Sequence, residues 1–282
     1  MPHHTTLSCL SPAKLNLFLH ITGRRPDGYH CLQTAFQLLD WGDAMQFTAN
    51  SSGDITLSGC DLGIPDEENL IVRAARLLQG LYPEKSPGAA IIIDKTIPAG
   101  GGLGGGSSNA ATTLLALNHL WGLRIDTKQL QSMGAELGAD VPVFVAGYSA
   151  WAEGIGEILT PLALPKYWYL IIQPACHVST AKIFSCEQLT RNTSPITLAA
   201  FFRGDSRNDC QPIVRSLYQE VDNALKWLGK FGEAKLTGTG ACVFASFETK
   251  EAVDAVKRQL PKSWTGFVAR GINKSPVLES LV

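Results

Sequence analysis

Pro98-Ala99-Gly100-Gly101-Gly102-Leu103-Gly104-Gly105-Gly106-Ser107-Ser108-Asn109 decides the fold. Six of the seven positions from 100 to 106 are glycine, so the backbone there can take positive φ and approach a ligand closely. Before the loop, Ala89–Ile93 reads as a short β-branched strand ending in Asp94 and Lys95. After it, a helix is expected from 107 to about 121, with no charged residue and Ser107 or Ser108 as N-cap. Ala110, Ala111, Leu114, Leu115, Leu117 and Trp121 would form its broad inward face. Strand, glycine loop and helix together make a phosphate cradle. Turned N–H groups form an anion-binding nest, and the helix N-terminus adds free donors and partial positive charge. A flexible linker would not be flanked by a β-branched strand and an apolar helix.

Two other phosphate loops are excluded. A Walker A loop needs Lys after its last glycine, and Ser107 stands there. A dinucleotide fingerprint needs an acidic residue at the end of a second strand, whereas Asp126 opens a helix.

Composition narrows the class. The 282 residues suffice for one large domain or two modest ones. Lys+Arg is 24 against Asp+Glu 25, so no bulk field draws the chain to nucleic acid or anionic lipid. No run of about 18 apolar residues exists, and the N-terminus shows no signal peptide, which predicts a soluble cytoplasmic protein. The seven cysteines are scattered without a C-x-x-C, as expected of reduced thiols. His3-His4 reads as a frayed terminus rather than a metal site.

Further elements follow from pattern. Leu15, Leu17, Leu19 and Ile21 alternate with Asn16, Phe18 and His20, which predicts a half-buried strand. Two strands are expected at 33–40 and 43–49 around Trp41-Gly42, and a weaker one at 54–58. Asn69 caps a helix through Leu81, and Asp126 caps another over 127–137. Strands are predicted around Gly154 and Gly156, at 168–173, 234–237, 242–247 and 265–270. Ile213 to Leu228 forms an amphipathic stripe, and a helix is expected near 249–259. Strands interleave irregularly with helices and no repeat appears, which indicates α+β layers. The proline-containing stretch 159–166 is the candidate boundary between domains 1–160 and 161–282.

Three polar islands interrupt apolar surroundings. Lys14 lies within Pro12-Ala13-Lys14-Leu15-Asn16, where a free ammonium would be costly to bury. Asp140 precedes Val141-Pro142-Val143-Phe144, expected as a buried strand, and needs a partner. Thr237-Gly238-Thr239-Gly240-Ala241-Cys242 is a second glycine loop between strands. Taken singly these read as a snorkelling lysine, a helix-terminal aspartate and a hairpin turn.

Together, and in this order, they resemble the GHMP family of small-molecule kinases. The resemblance spans nearly the whole chain. It implies an α+β fold in two domains, an N-terminal ribosomal-protein-like nucleotide-binding domain and a C-terminal ferredoxin-like sandwich, with the active site between them. Gly23-Arg24-Arg25-Pro26-Asp27-Gly28-Tyr29-His30, Gly138-Ala139-Asp140-Val141-Pro142 and Gly271-Ile272-Asn273 look like one branch of the family. That branch phosphorylates the C2 hydroxyl of 4-diphosphocytidyl-2-C-methyl-D-erythritol with ATP, in the non-mevalonate route to isoprenoid precursors.

The resemblance implies roles residue by residue. Asp140 would take the hydroxyl proton, with Lys14 as its electrostatic partner. Tyr29 and Phe184 would sandwich the cytosine, His30 would bond its edge, and Asn16 would sit near the methylerythritol hydroxyls. Asn69, Leu70, Lys95 and Asn109 match positions around the adenosine, Gly100 to Ser108 would hold the triphosphate, and Pro98 and Ala99 belong to the same ATP-binding segment. Thr237, Gly238, Thr239 and Gly240 form the third motif, its contact left open. Mg²⁺ would ride mainly on the phosphates, with Ser107 or Asp140 nearby and no protein cage named. Cys242 reads as a small buried apolar residue. The implied partners are small molecules, without nucleic acid or membrane, acting on a monomer or homodimer. Other alcohols on the same fold, a non-catalytic nucleotide sensor and an RNA-binding module are the competing readings. Asp27 to His30 opposes the first, the presence of Lys14 and Asp140 the second, and the charge balance the third.

Overall fold

The computed structural model describes residues 6–59 and 63–281; the His3-His4 pair and Cys60 lie outside them. In chain order the elements begin with β1 (Thr6–Arg24), β2 (His30–Ala49), β3 (Ile55–Ser58), α1 (Leu70–Leu81) and β4 (Ala89–Asp94). Next come α2 (Gly105–Leu120), α3 (Thr127–Leu137), α4 (Val141–Ala146), β5 (Ala150–Glu153) and β6 (Ile158–Pro161). The remainder is β7 (Trp168–Gln173), α5 (Thr180–Ser185), α6 (Leu198–Phe202), α7 (Gln211–Leu217), α8 (Gln219–Leu228), β8 (Lys235–Leu236), β9 (Val243–Phe247), α9 (Lys250–Lys257), β10 (Thr265–Ile272) and α10 (Val277–Ser280). The architecture is α+β. A mixed sheet runs β3-β4-β2-β10-β7-β9-β8, with β1 and β5 also paired to β2.

β2 is the spine. One edge pairs with β1 along its length; the other is shared by β5, β10 and β4 in turn. The two strands expected at 33–40 and 43–49 are therefore one continuous strand. Trp41-Gly42 is not a reversal but part of a bulge: Pro12 faces Gly42, yet Lys14 already faces Leu38. Such bulges bend and twist a strand without ending it. β1 is buried on both faces rather than half-buried, because the second core reaches Leu19 and Ile21.

Three of the four hydrophobic clusters among the described residues organise the fold around the site. The first packs α1, α2 and α4 on β2 and β4 through residues such as Leu78, Leu114, Val143 and Phe47. The second packs α7, α8 and α9 on β7 and β9 through Val214, Leu225, Val253 and Ile172. A third, small cluster joins them, with Leu15 and Leu103 from one side and Ile171, Cys242 and Phe244 from the other. Both glycine loops lie over this junction.

Several local expectations change. α2 begins at Gly105, two residues early, behind a left-handed Gly104 that gives no side-chain cap. Ser107 and Ser108 thus lie inside its first turn and are not N-caps. Its residues Ser108 to Leu117 are buried all round rather than on one face, since α1, α4 and the β1–β2 pair surround it. The segment after Asp140 is the short helix α4, not a strand; Pro142 suits a first helical turn, and left-handed Gly147 ends it. The stripe 213–228 is two helices broken at Tyr218, whose backbone is extended. The capping residues Asn69 and Asp126 hold as read, accepting from the N–H groups of Ile71 at 3.0 Å and Gln129 at 2.9 Å.

Candidate active site

The bulge in β1 sets the site. Lys14, in register with Leu38 of β2, donates its N–H to the carbonyl of Leu103 at 3.0 Å. Two residues on, the Asn16 N–H donates to Thr237 Oγ1 at 3.0 Å. One stretch of strand is thereby bonded to both glycine loops. The Lys14 ammonium is buried and donates to Asn16 Oδ1 at 2.5 Å. Asn16 is oriented in turn by donating to Thr34 Oγ1 at 3.0 Å. Phe36 lies beneath the ammonium, its ring centre 5.3 Å away. Asp140, at the mouth of α4, completes the pairing at 3.3 Å; its side chain remains 35% exposed while that of Lys14 is 3% exposed. The two charges that needed partners in the sequence have found each other, with the carboxylate left reachable from solvent.

The first glycine loop is held by the second. Gly100, Gly102 and Gly104 all have positive φ, near 70°, alternating with residues that do not. The carbonyls of Gly100 and Gly101 accept from the N–H groups of Ala241 and Cys242, both at 3.2 Å. Thr237 Oγ1 donates to the carbonyl of Gly102 at 3.2 Å. A Cβ at Gly102 would sit 2.2 Å from the Thr237 carbonyl, so the approach needs glycine. The third motif, whose contact the sequence left open, is a brace for the first glycine loop. Within it, Gly238 and Thr239 line the middle cavity, whereas Thr237 and Gly240 are structural. Burial pushes the Cys242 thiol up to about 12, consistent with an apolar packing residue.

A buried polar network underlies α2. Asp43 is fully buried and accepts from Lys95 Nζ at 2.5 Å, from the N–H groups of Thr96 and Ile97 at 2.8 Å, and from Asn109 Nδ2 at 2.8 Å. Asn109 also takes a bond from Lys95 and donates to Ser11, whose hydroxyl meets that of Ser108 at 2.8 Å. Lys95 and Asn109 line the first cavity, as do Asn69, Leu70 and the loop from Pro98 to Ser107. Ser108 does not: its hydroxyl donates to the Pro12 carbonyl at 2.6 Å and its N–H to Gly104. Of the loop residues expected on the triphosphate, it is the one the structure turns away. Asp43 and Ser11 escaped the sequence reading. Asp43 lay beside the supposed turn at Trp41-Gly42, and a lone aspartate there carries no motif.

Tyr29, His30 and Phe184 share the outer cavity. The turn carrying the first two is fixed by Asp27, which accepts from the Tyr29 N–H at 3.1 Å and from Arg25 Nε at 3.0 Å, while Gly28 takes positive φ. Tyr29 is 58% exposed. The Phe184 ring is stacked on His30, centroids 5.0 Å apart at 29°, so the expected sandwich with Tyr29 is not closed. Thr180, which the sequence reading passed over, lines the outer and middle cavities and pairs with Thr239 at 2.9 Å between hydroxyl oxygens.

These cavities run into one another. The first, about 340 Å³, shares Gly102 and Ser107 with the middle one, which holds Lys14, Asn16 and Asp140. The middle one shares Leu32, Ala139, Ile155, Thr180 and Phe184 with the outer cavity of about 560 Å³. The Lys14–Asp140 pair thus stands midway along a continuous trench. Asp140 is the carboxylate lining the middle cavity, and Ser107 supplies a hydroxyl there. Among the described residues no cluster of three His, Cys, Asp or Glu side chains could cage a metal. One carboxylate and one hydroxyl fit a Mg²⁺ ion whose remaining ligands are phosphates and water.

Comparison with known proteins follows the same lines. Residues 69–148 match the family model for the GHMP kinases N terminal domain, and residues 189–266 that for GHMP kinases C terminal. A 4-diphosphocytidyl-2-C-methyl-D-erythritol kinase of Hahella chejuensis is 54% identical over 98% of this chain and 97% of its own. One from Marinobacter nauticus is 52% identical over 98% of both. A crystal structure of 4-(cytidine 5'-diphospho)-2C-methyl-D-erythritol kinase superposes with TM-score 0.81 at 32% identity, covering 94% of this chain and 98% of that one. The Methanococcus jannaschii mevalonate kinase shares the fold at TM-score 0.69 and 17% identity.

Proposed function

From the premise that the chain belongs to the GHMP kinases and, within them, to the 4-diphosphocytidyl-2-C-methyl-D-erythritol kinases, we propose how its residues divide the work. The enzyme phosphorylates 4-diphosphocytidyl-2-C-methyl-D-erythritol in the non-mevalonate route to isoprenoid precursors. The observation that carries the assignment of roles is the continuous trench with Lys14 and Asp140 at its middle.

ATP lies in the first cavity. Its triphosphate rests on the free N–H groups of Gly105, Gly106 and Ser107 at the start of α2, with Lys95 held beside them by Asp43. Asn69 and Leu70 border the adenosine end. The cytidine lies in the outer cavity on Tyr29, His30 and Phe184, and the methylerythritol reaches the middle cavity near Asn16.

An alcohol is a poor nucleophile near neutral pH. Asp140 accepts the C2 hydroxyl proton as the oxygen attacks the γ-phosphorus, a role worth about 10²–10⁴ in rate. Lys14 pairs with that carboxylate at 3.3 Å and faces the developing alkoxide. Asn16 holds the ammonium in place. Most of the remaining acceleration is positioning and charge stabilisation, as phosphoryl transfer requires. Mg²⁺, held by Ser107, Asp140 and the phosphates, would supply charge neutralisation. Residues 1–160 supply the ATP side and 161–282 the facing wall, with β1 serving both. No helix among the described residues is long and apolar enough to cross a membrane.

The test is ADP release by purified protein with ATP, Mg²⁺ and 4-diphosphocytidyl-2-C-methyl-D-erythritol. Substrate-dependent release is expected, and its absence would overturn the assignment.

A further inference from the structure

One arginine outside every motif is almost saturated. Arg191 donates through Nη1 to the Leu189 carbonyl at 3.1 Å, and through Nη2 to the carbonyls of Phe184 and Cys186, both at 2.8 Å. Its Nε donates to His30 Nε2 at 3.0 Å. Four of the five guanidinium hydrogens are thus engaged. The three carbonyls belong to the turn after Phe184, itself closed by the Leu189 N–H on the Cys186 carbonyl at 3.1 Å. The planar fork is fixed on that turn, so the direction of Nε is fixed as well.

The consequence falls on His30. A guanidinium does not deprotonate in proteins, so Nε is always a donor. Its partner Nε2 must then be an acceptor, and the proton of the neutral ring resides on Nδ1. Among the described residues nothing bonds Nδ1, and it is not sealed from the outer cavity that His30 lines. The ring plane is also set, stacked on Phe184. The same arginine therefore holds the backbone of one aromatic wall and the tautomer of the polar residue beside it.

We propose that Arg191 is a positioning residue for base recognition: it holds His30 as the Nδ1–H tautomer, so the ring offers a donor to the acceptor edge, O2 and N3, of the cytosine. This rests on the reading that the outer cavity takes the cytidine. A neighbouring cation also opposes the imidazolium. Burial, Arg191 and Arg24 together place His30 below its ordinary value of 6.5. Arg24 and Asp27 are the charged side chains lining the cavity, and Asp27 is engaged by Arg25 and the Tyr29 N–H.

The experiment combines imidazole ¹⁵N–¹H spectra of the ligand-free protein with steady-state kinetics, for wild type and Arg191→Met. In wild type the bare nitrogen of neutral His30 should be Nε2. In Arg191→Met the tautomers should redistribute and the titration should move up toward the ordinary value. KM for the cytidylyl substrate should rise about five- to tenfold, the scale of one hydrogen bond, with its acid limb beginning at higher pH. Turnover and KM for ATP should stay within about twofold. A proton on Nε2 in wild type overturns the proposal. So does an Arg191→Met ring with unchanged tautomer and titration, even with a raised KM, because a purely structural arginine would give that result. If the variant does not fold, cytidine 5′-diphosphate added to wild type decides: the Nδ1–H resonance should shift. An Nδ1–H ring that the nucleotide leaves unperturbed removes the outer-cavity reading, and the proposal with it. An Nε2–H ring that is perturbed overturns the proposal alone.

Discussion

Lys14 and Asp140, 126 positions apart in sequence, meet at 3.3 Å with the lysine buried and the aspartate open to the cavity. The asymmetry matters. Burial of the cation prevents it from being screened, and exposure of the carboxylate lets it meet a substrate. Asp140→Asn keeps the shape and removes the proposed base. Turnover should fall about 10²–10⁴-fold while the dissociation constants of both substrates change little. Lys14→Met should also cut turnover, with a smaller effect on binding. Single-turnover rates and equilibrium binding separate the two quantities. An Asp140→Asn enzyme with wild-type turnover would remove Asp140 as base.

Tyr29 and Phe184 test the outer cavity differently. Phe184 already has His30 against one face, whereas Tyr29 is exposed and free to cover a base. Loss of one stacking face costs about 1–3 kcal/mol by analogy with base–aromatic contacts. Tyr29→Ala should therefore raise KM for the cytidylyl substrate about tenfold or more, with turnover at saturation largely kept. An unchanged KM would show that Tyr29 does not stack.

The sequence carried the motifs but not their supports. The glycine loop, Lys14 and Asp140 were legible because glycine clusters and charges in apolar runs are locally anomalous. Helices capped by Asn69 and Asp126 were legible because capping is local too. What failed depended on neighbours distant in sequence. Whether Trp41-Gly42 turns or bulges depends on Pro12 across the sheet. Whether Ser108 meets phosphate depends on Ser11 and the Pro12 carbonyl. Asp43 and Arg191 stand in no motif; packing brings Lys95 and Asn109 to Asp43, and His30 to an arginine already bonded to the turn before it. The strand-like composition of Val141–Phe144 was overruled by the helix-compatible Pro142 and the terminating Gly147.

Asp43 is the test of those supports. Removing its carboxylate leaves Lys95 without its ion pair and two backbone N–H groups unpaired. Asp43→Ala should cost about 3–5 kcal/mol of stability, read as a shift in the urea midpoint at constant slope. Asp43→Asn retains acceptor capacity and should fold, with KM for ATP raised because Lys95 is no longer held beside the loop. A stable Asp43→Ala enzyme with normal KM for ATP would contradict the support role.

His20 gives a pH signature. It is buried, accepts from the Arg207 N–H at 3.3 Å, and is held below its ordinary 6.5 by burial first, with Arg207 adding to this and Asp209 opposing. Between the ordinary value and the lowered one, the unfolded chain binds the proton and the folded chain does not. Stability present above pH 6.5 is thus lost as pH falls through that window. His20→Gln cannot titrate there, so its melting temperature should drop less than that of wild type between pH 7.5 and 5.5. Parallel drops in the two proteins would mean that His20 does not contribute.

The brace between the two glycine loops predicts unequal tolerance within one motif. Gly102 combines φ of 75° with a Cβ position 2.2 Å from the Thr237 carbonyl, so Gly102→Ala must push the loops apart. Gly106 has no left-handed φ, and its added Cβ would touch only the Leu70 side chain at 3.5 Å. Both residues line the first cavity, proposed for ATP, so a simple steric block of the nucleotide would affect them alike. Displacement of the loop from its brace affects only the first. Gly102→Ala should lose at least about tenfold in kcat/KM for ATP, which corresponds to roughly 1.4 kcal/mol, and Gly106→Ala should stay within about threefold of wild type. Parallel titrations of the two variants with ATP at saturating cytidylyl substrate measure this. Equal losses would mean that the second glycine loop does not set the position of the first.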